Sequence, residues 1–207
     1  MALVRAALRG IDAIRAEVPD ARFLHADPMC RVVPPSDDPA AIVAAHYFNR
    51  EFVFESWDML CGRRHPELGG SRAHLDVVGI NYYWNCQWEH GADGTWLDDD
   101  DPRRLPLRDL VMDVWKRYGG EVVISETAHR GDQRARWLRQ LGDEVEAMLD
   151  AGVPLRGVCL YPISGCVTGT IHVTGCRWGY GILIVRTACA GSFMSQRWTR
   201  SCKRRKR

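Results

Sequence analysis

The sequence predicts an α/β fold built from parallel β/α units. Segments with apolar residues at helical spacing alternate with short segments rich in β-branched and aromatic residues. One of the latter, "HLDVVGINYYW" (His74–Trp84), is apolar on both alternations, as in a strand covered on both faces. Strand-like and helix-like segments follow one another along residues 2–163, which is the pattern of β/α units.

Taken in order, Leu3, Ala6, Leu8, Ile11, Ile14 and Val18 mark an amphipathic helix over Ala2–Glu17, stopped by Pro19. "ARFLHAD" follows as a strand, Ala21–Ala26, ended by Pro28. "RVVPPSDDPA" (31–40) reads as a loop, with short helices over 39–49 and 51–60. The strand His74–Trp84 leads into a polar loop, 85–104, that contains "LDDDDPRR". "LRDLVMDVWKRYGG" has the helical period and ends on a glycine pair, a common stop signal. "EVVISE" (121–126) is the next strand, "QRARWLRQLGDEVEAMLDAG" a strongly amphipathic helix, and "LRGVCLYPI" a last strand.

The 207 residues suffice for one domain or one large piece of a bigger one. No apolar run approaches the roughly 18 residues of a membrane span, and "MALVRAALRG" lacks the apolar core of a secretory signal. The eight cysteines are therefore read as free thiols of a cytoplasmic chain. Composition breaks near Ile163–Ser164. Residues 1–163 carry all 26 Asp/Glu against 19 Lys/Arg, a net of −7, whereas residues 164–207 carry nine Lys/Arg and no acid. The expected domains are thus 1–163 and a basic, acid-free tail, 164–207, irregular and disordered or out of frame. The codons allowed for that tail permit a read shifted by one base that restores acidic residues.

Two apparent signals are bland. Adjacent aspartates in "LDDDDPRR" lack the alternating spacing of a calcium loop and read as solvated. Cys166, His172 and Cys176 include no C-x-x-C pair and read as no zinc site. The terminal "KRRKR" offers charge to nucleic acid, but in an out-of-frame tail that charge is accidental.

The strand "EVVISE" ends on a carboxylate, Glu126, and in a (β/α)8 barrel the chemistry sits at the C-terminal strand ends. Here the sequence resembles a known family. "LDVVGINYYW" is similar to the sixth-strand segment of family 1 glycoside hydrolases, the β-glucosidase-like enzymes, which commonly read D-x-x-G-I-N-Y-Y. "VVISETA" resembles their seventh-strand segment, whose glutamate is the catalytic nucleophile. The resemblance covers roughly residues 2–163. It implies the C-terminal half of a (β/α)8 TIM barrel, strands five to eight. Thr127-Ala128 and "YPI" depart from the family pattern and imply a divergent, related group.

The resemblance implies retaining hydrolysis of β-glycosides, with a carbohydrate substrate and neither cofactor nor metal. Glu126 would be the nucleophile, with Tyr82 or Tyr83 donating a hydrogen bond to it; Tyr82 is taken as the catalytic partner. Asn81, Tyr83, Trp84, His25, His129 and Tyr161 are the candidate sugar contacts. Trp88 is a further stacking candidate, and Asp27 shares the position of His25 near its strand end. The family's acid/base glutamate sits after the fourth strand within N-E-P, which this sequence does not contain. The chain alone is therefore expected to be inactive. Two other readings share these residues: a barrel lyase or isomerase with Glu126 as general base, and a non-enzymatic truncated product or basic-tailed binding module.

Overall fold

The computed structural model describes residues 1–91 and 95–162. Eleven helices and strands run through them: α1 (Ala2–Glu17), β1 (Leu24–Pro28), β2 (Arg31–Val33), α2 (Pro39–Arg50), α3 (Glu55–Leu60), β3 (Val77–Asn81), β4 (Gln87–Glu89), α4 (Leu107–Tyr118), β5 (Glu121–Thr127), α5 (Arg134–Asp150) and β6 (Leu155–Leu160). The boundary at Ile163–Ser164, the tail after it, and the Cys166, His172 and Cys176 group lie outside the described residues.

The main sheet is all parallel in the order β1-β3-β5-β6. Each main strand pairs with the next one along the chain, and helices cross between them. This is an α/β fold of β/α units, as the alternating sequence pattern requires.

Local chemistry explains the element ends. Asp38 caps α2: its carboxylate accepts the Ala41 N–H at 3.0 Å, and Pro39 occupies the first turn. α4 stops at Gly119, whose φ of 64° suits a residue without a Cβ. A Cβ on Gly70 would lie 2.2 Å from the Met59 carbonyl oxygen, so that turn can pack only with glycine.

The core lies between the sheet and the helices. Val78, Ile80, Val122 and Ile124 point outward from the strands and meet Trp57 of α3 and Val111 of α4. Each such side chain contributes about 1.5–3 kcal/mol on burial. This explains why β3 and β5 are legible as strands: one of their faces is fully buried.

The structure shifts some expected boundaries. The first strand is Leu24–Pro28 rather than Ala21–Ala26, and the second narrows from His74–Trp84 to Val77–Asn81. The stretch 31–40 is not all loop, and neither is 85–104. Arg31–Val33 and Gln87–Glu89 form a second, two-stranded parallel sheet. Three-residue strands leave no periodic signal, and this pair exists only because the exits of β1 and β3 run side by side. The helix expected over 51–60 splits into a 3-10 turn, Phe52–Phe54, and α3.

Candidate active site

The row of register partners Pro28, Asn81 and Glu126 crosses the C-terminal end of the sheet. Ile80 pairs with Ile124, but Asn81 pairs with Glu126, so Ser125 is an extra residue on β5. Such a bulge re-aims the side chains beyond it. Alternation would send Glu126 into the helix layer. Instead Ser125 and Glu126 are both half-buried, and Thr127 turns to the helix layer to accept the Trp137 Nε1–H at 3.0 Å. Ser125 donates its hydroxyl to Asn81 Oδ1 at 2.7 Å, and the Tyr82 N–H donates to the Glu126 carbonyl at 2.9 Å. These bonds tie the exits of β3 and β5 together.

Tyr82 and Tyr83 point opposite ways. Tyr83 Oη donates to Glu126 Oε2 at 2.6 Å, a short, charge-assisted bond. Burial pushes the Tyr83 phenol up, and the Glu126 carboxylate pushes it further, so it remains a proton donor. Tyr82, taken from sequence as the catalytic partner, is core instead. It is 3% exposed, stacks on Trp137 at 5.9 Å, and accepts the Gln87 Nε2–H at 2.8 Å. Adjacent residues leaving a strand face opposite sides; the one directed to the helix layer is Tyr82.

Asn81 and Tyr161 stand on the same rim. Tyr161 is 51% exposed at the end of β6, and its N–H donates to the Thr127 carbonyl at 3.2 Å. Trp84 and His129 are enclosed rather than open to a ligand. The Trp84 ring is covered by the Arg130 guanidinium at 4.1 Å and packs on His129 at 5.4 Å. His129 is buried, takes the Arg130 N–H on Nδ1 at 2.8 Å, and faces Asp99 with Nε2 at 3.5 Å. Burial pushes its pKa down. Trp88 sits in β4 edge-on to Phe48 at 5.5 Å.

His25 is not at the mouth. It pairs with Val78, three positions before Asn81, which is about 10 Å along the strand at roughly 3.3 Å per residue. It faces the helix layer, and its carbonyl accepts the Trp57 Nε1–H at 3.1 Å. Asp27 likewise turns to α3, where Ser56 donates to it. The strand runs past Ala26 to Pro28, which is why both residues fall short of its end.

Three groups behind the rim carried no sequence signal. Gln87 is fully buried; its amide donates to the Leu105 carbonyl at 2.7 Å and accepts the Leu105 N–H at 2.9 Å. Cys86 Sγ accepts the Tyr83 N–H at 3.2 Å. Arg130 reaches Trp84 through tertiary contact alone. A cavity of about 420 Å³ lies on the helix side of the strand exits, lined by Tyr82, Asp99, Arg104, Trp137 and Glu144 among others, and Glu126 is not in its walls. Among the described residues no cluster of His, Cys, Asp or Glu is arranged to hold a metal, and no helix is long and apolar enough to cross a membrane. The arrangement thus offers one oriented carboxylate at a strand rim, able to attack an electrophilic carbon or to accept a proton.

No protein-family model matches this sequence, and no curated protein matches it. Solved structures do resemble it in fold. A Thermotoga maritima β-glucosidase in complex with glucoimidazole superposes with a TM-score of 0.60 at 20% identity, over 79% of this chain and 46% of that one. A family 1 glycoside hydrolase from the same organism, complexed with a cyclophellitol analogue transition-state mimic, gives 0.58 at 18% identity, over 77% and 45%. The chain therefore shares the α/β fold of parallel β/α units of the matched part of these enzymes and spans about half of their length.

Proposed function

We propose that this chain is the C-terminal half of a (β/α)8 glycoside hydrolase of the β-glucosidase type, with Glu126 as the nucleophile of retaining hydrolysis. The observation that carries this reading is the 2.6 Å bond from Tyr83 Oη to Glu126 Oε2 at the rim. A nucleophilic carboxylate must be ionised and aimed at the anomeric carbon. A hydrogen bond donated by a phenol fixes the direction of such a carboxylate. In this reading β1, β3, β5 and β6 are barrel strands five to eight, and Asn81 and Tyr161 border the sugar. The similar structures are a β-glucosidase in complex with glucoimidazole and a family 1 glycoside hydrolase complexed with a cyclophellitol analogue transition-state mimic, which agrees with a carbohydrate substrate.

Retaining hydrolysis needs a second carboxyl group about 5–5.5 Å away. That group belongs to strand four and its N-E-P segment, which this sequence lacks. The chain alone therefore does not turn over a glycoside, and residues 164–207 are a tail read out of frame.

A dinitrophenyl 2-fluoro-β-glucoside tests the nucleophile without the missing acid, because its leaving group departs without a proton. The expected result is one covalent sugar on the peptide holding Glu126, absent from Glu126→Gln. A folded chain that stays unlabelled refutes the nucleophile. Turnover of an ordinary aryl β-glucoside, lost in Glu126→Gln, refutes the inactivity.

A further inference from the structure

Cys86 lies between β3 and β4, three residues after Tyr83, and touches no group of the proposed reaction. It holds Tyr83 by both backbone polar groups. The Cys86 N–H donates to the Tyr83 carbonyl at 3.0 Å, closing a four-residue turn over 83–86. Cys86 Sγ accepts the Tyr83 N–H at 3.2 Å. β3 has ended at Asn81, so a side-chain sulfur here takes the place of a ladder carbonyl. Cys86 is itself anchored. It is 7% exposed, and the Arg31 N–H donates to its carbonyl at 2.9 Å. The next residue, Gln87, pairs with Arg31 in the β2–β4 ladder and bonds twice to the Leu105 backbone.

We propose that Cys86 is a positioning residue, which fixes the Tyr83 backbone so that the phenol reaches Glu126. A tyrosine hydroxyl stands at the end of a long, rigid side chain, so a small backbone rotation moves the oxygen much further. The Tyr83–Glu126 bond, at 2.6 Å, is near the short end of the roughly 2.5–3.0 Å range for O–H···O bonds and leaves little slack. The link therefore runs from the β2–β4 ladder through Cys86 to Tyr83 and on to Glu126. Its effect on rate rests on Glu126 as the nucleophile; the placement of the phenol does not.

The test labels tyrosine Cζ with carbon-13 in the full chain and follows it by NMR. Loss of one signal in Tyr83→Phe identifies Tyr83, and Glu126→Ala, which removes the acceptor, gives the position of the released phenol. Cys86→Ala should move the Tyr83 signal toward that position while the Tyr82 and Tyr118 signals stay in place. Cys86→Val, which fills the space without an acceptor, should do the same. Cys86→Ser, whose oxygen accepts the same N–H, should restore the signal. With the dinitrophenyl 2-fluoro-β-glucoside, Cys86→Ala should label Glu126 about tenfold more slowly, within the roughly 100-fold that a 1 Å misplacement costs. It should slow nothing further in a Tyr83→Phe chain, where the phenol it acts through is gone. An unmoved Tyr83 signal in Cys86→Ala overturns the proposal, as does movement of the Tyr82 and Tyr118 signals along with it, or equal slowing with and without the Tyr83 hydroxyl. A chain that is never labelled refutes the nucleophile instead, and the Tyr83 signal then decides the role of Cys86 by itself.

Discussion

Replacing Asp58 by alanine tests how the helix layer is held behind the site-bearing strands. Asp58 lies on α3, and its carboxylate is 4% exposed. Oδ1 accepts from Arg117 Nε at 3.0 Å and from Tyr118 Oη at 2.9 Å, and Oδ2 accepts from Arg117 Nη2. This joins α3 to the end of α4. Breaking a buried ion pair costs about 3–5 kcal/mol. Two features place this site at the lower end. Arg117 keeps 23% of its side chain in water, and the Tyr118 hydroxyl also lies 3.2 Å from the Phe54 carbonyl, a second acceptor. A loss of about 3 kcal/mol is therefore expected, a large part of the roughly 5–15 kcal/mol that holds a domain together. With a urea slope near 2 kcal/mol per molar, the midpoint falls by about 1.5 M. Asp58→Asn, which keeps the shape and one acceptor, should lose about half as much. Equilibrium urea unfolding followed by circular dichroism measures both. A midpoint shift below about 0.3 M for Asp58→Ala, with the slope unchanged, refutes the account of this cluster as a buried clamp.

Tyr83→Phe removes the donor to Glu126 and leaves the ring; a charge-assisted bond worth about 1.5–3 kcal/mol makes labelling of Glu126 by the fluorinated glycoside roughly 10- to 100-fold slower. Tyr82→Phe should leave that rate nearly unchanged, because its hydroxyl serves Gln87. His25 and His129 both have pKa values pushed down by burial. The unfolded chain therefore binds protons first as pH falls through about 6.5, and stability present above that pH is lost below it. The unfolding free energy from urea titrations should fall between about pH 7 and 5, by at most about 1.4 kcal/mol per pH unit for each histidine, and His129→Gln should flatten the slope.

The alternating pattern of residues 2–163 determined the α/β class and the order of the main elements, and α1 was readable to its last residue because an amphipathic period and a proline bound it. "EVVISE" also announced its carboxylate, since an acid ending a buried strand is a local feature. The partners of that acid were not local. Which tyrosine faces Glu126 depends on the bulge at Ser125 and on which face of β3 the helices cover. Trp84, His25 and His129 had suitable chemistry in the sequence, yet packing enclosed Trp84 and His129 and turned His25 toward the helices. The short β2–β4 ladder arises only where two strand exits come side by side. Residue order sets what each segment can bury, a short-range property of period and propensity. Which side chain meets which across the sheet is set by register, and register exists only once the strands have paired.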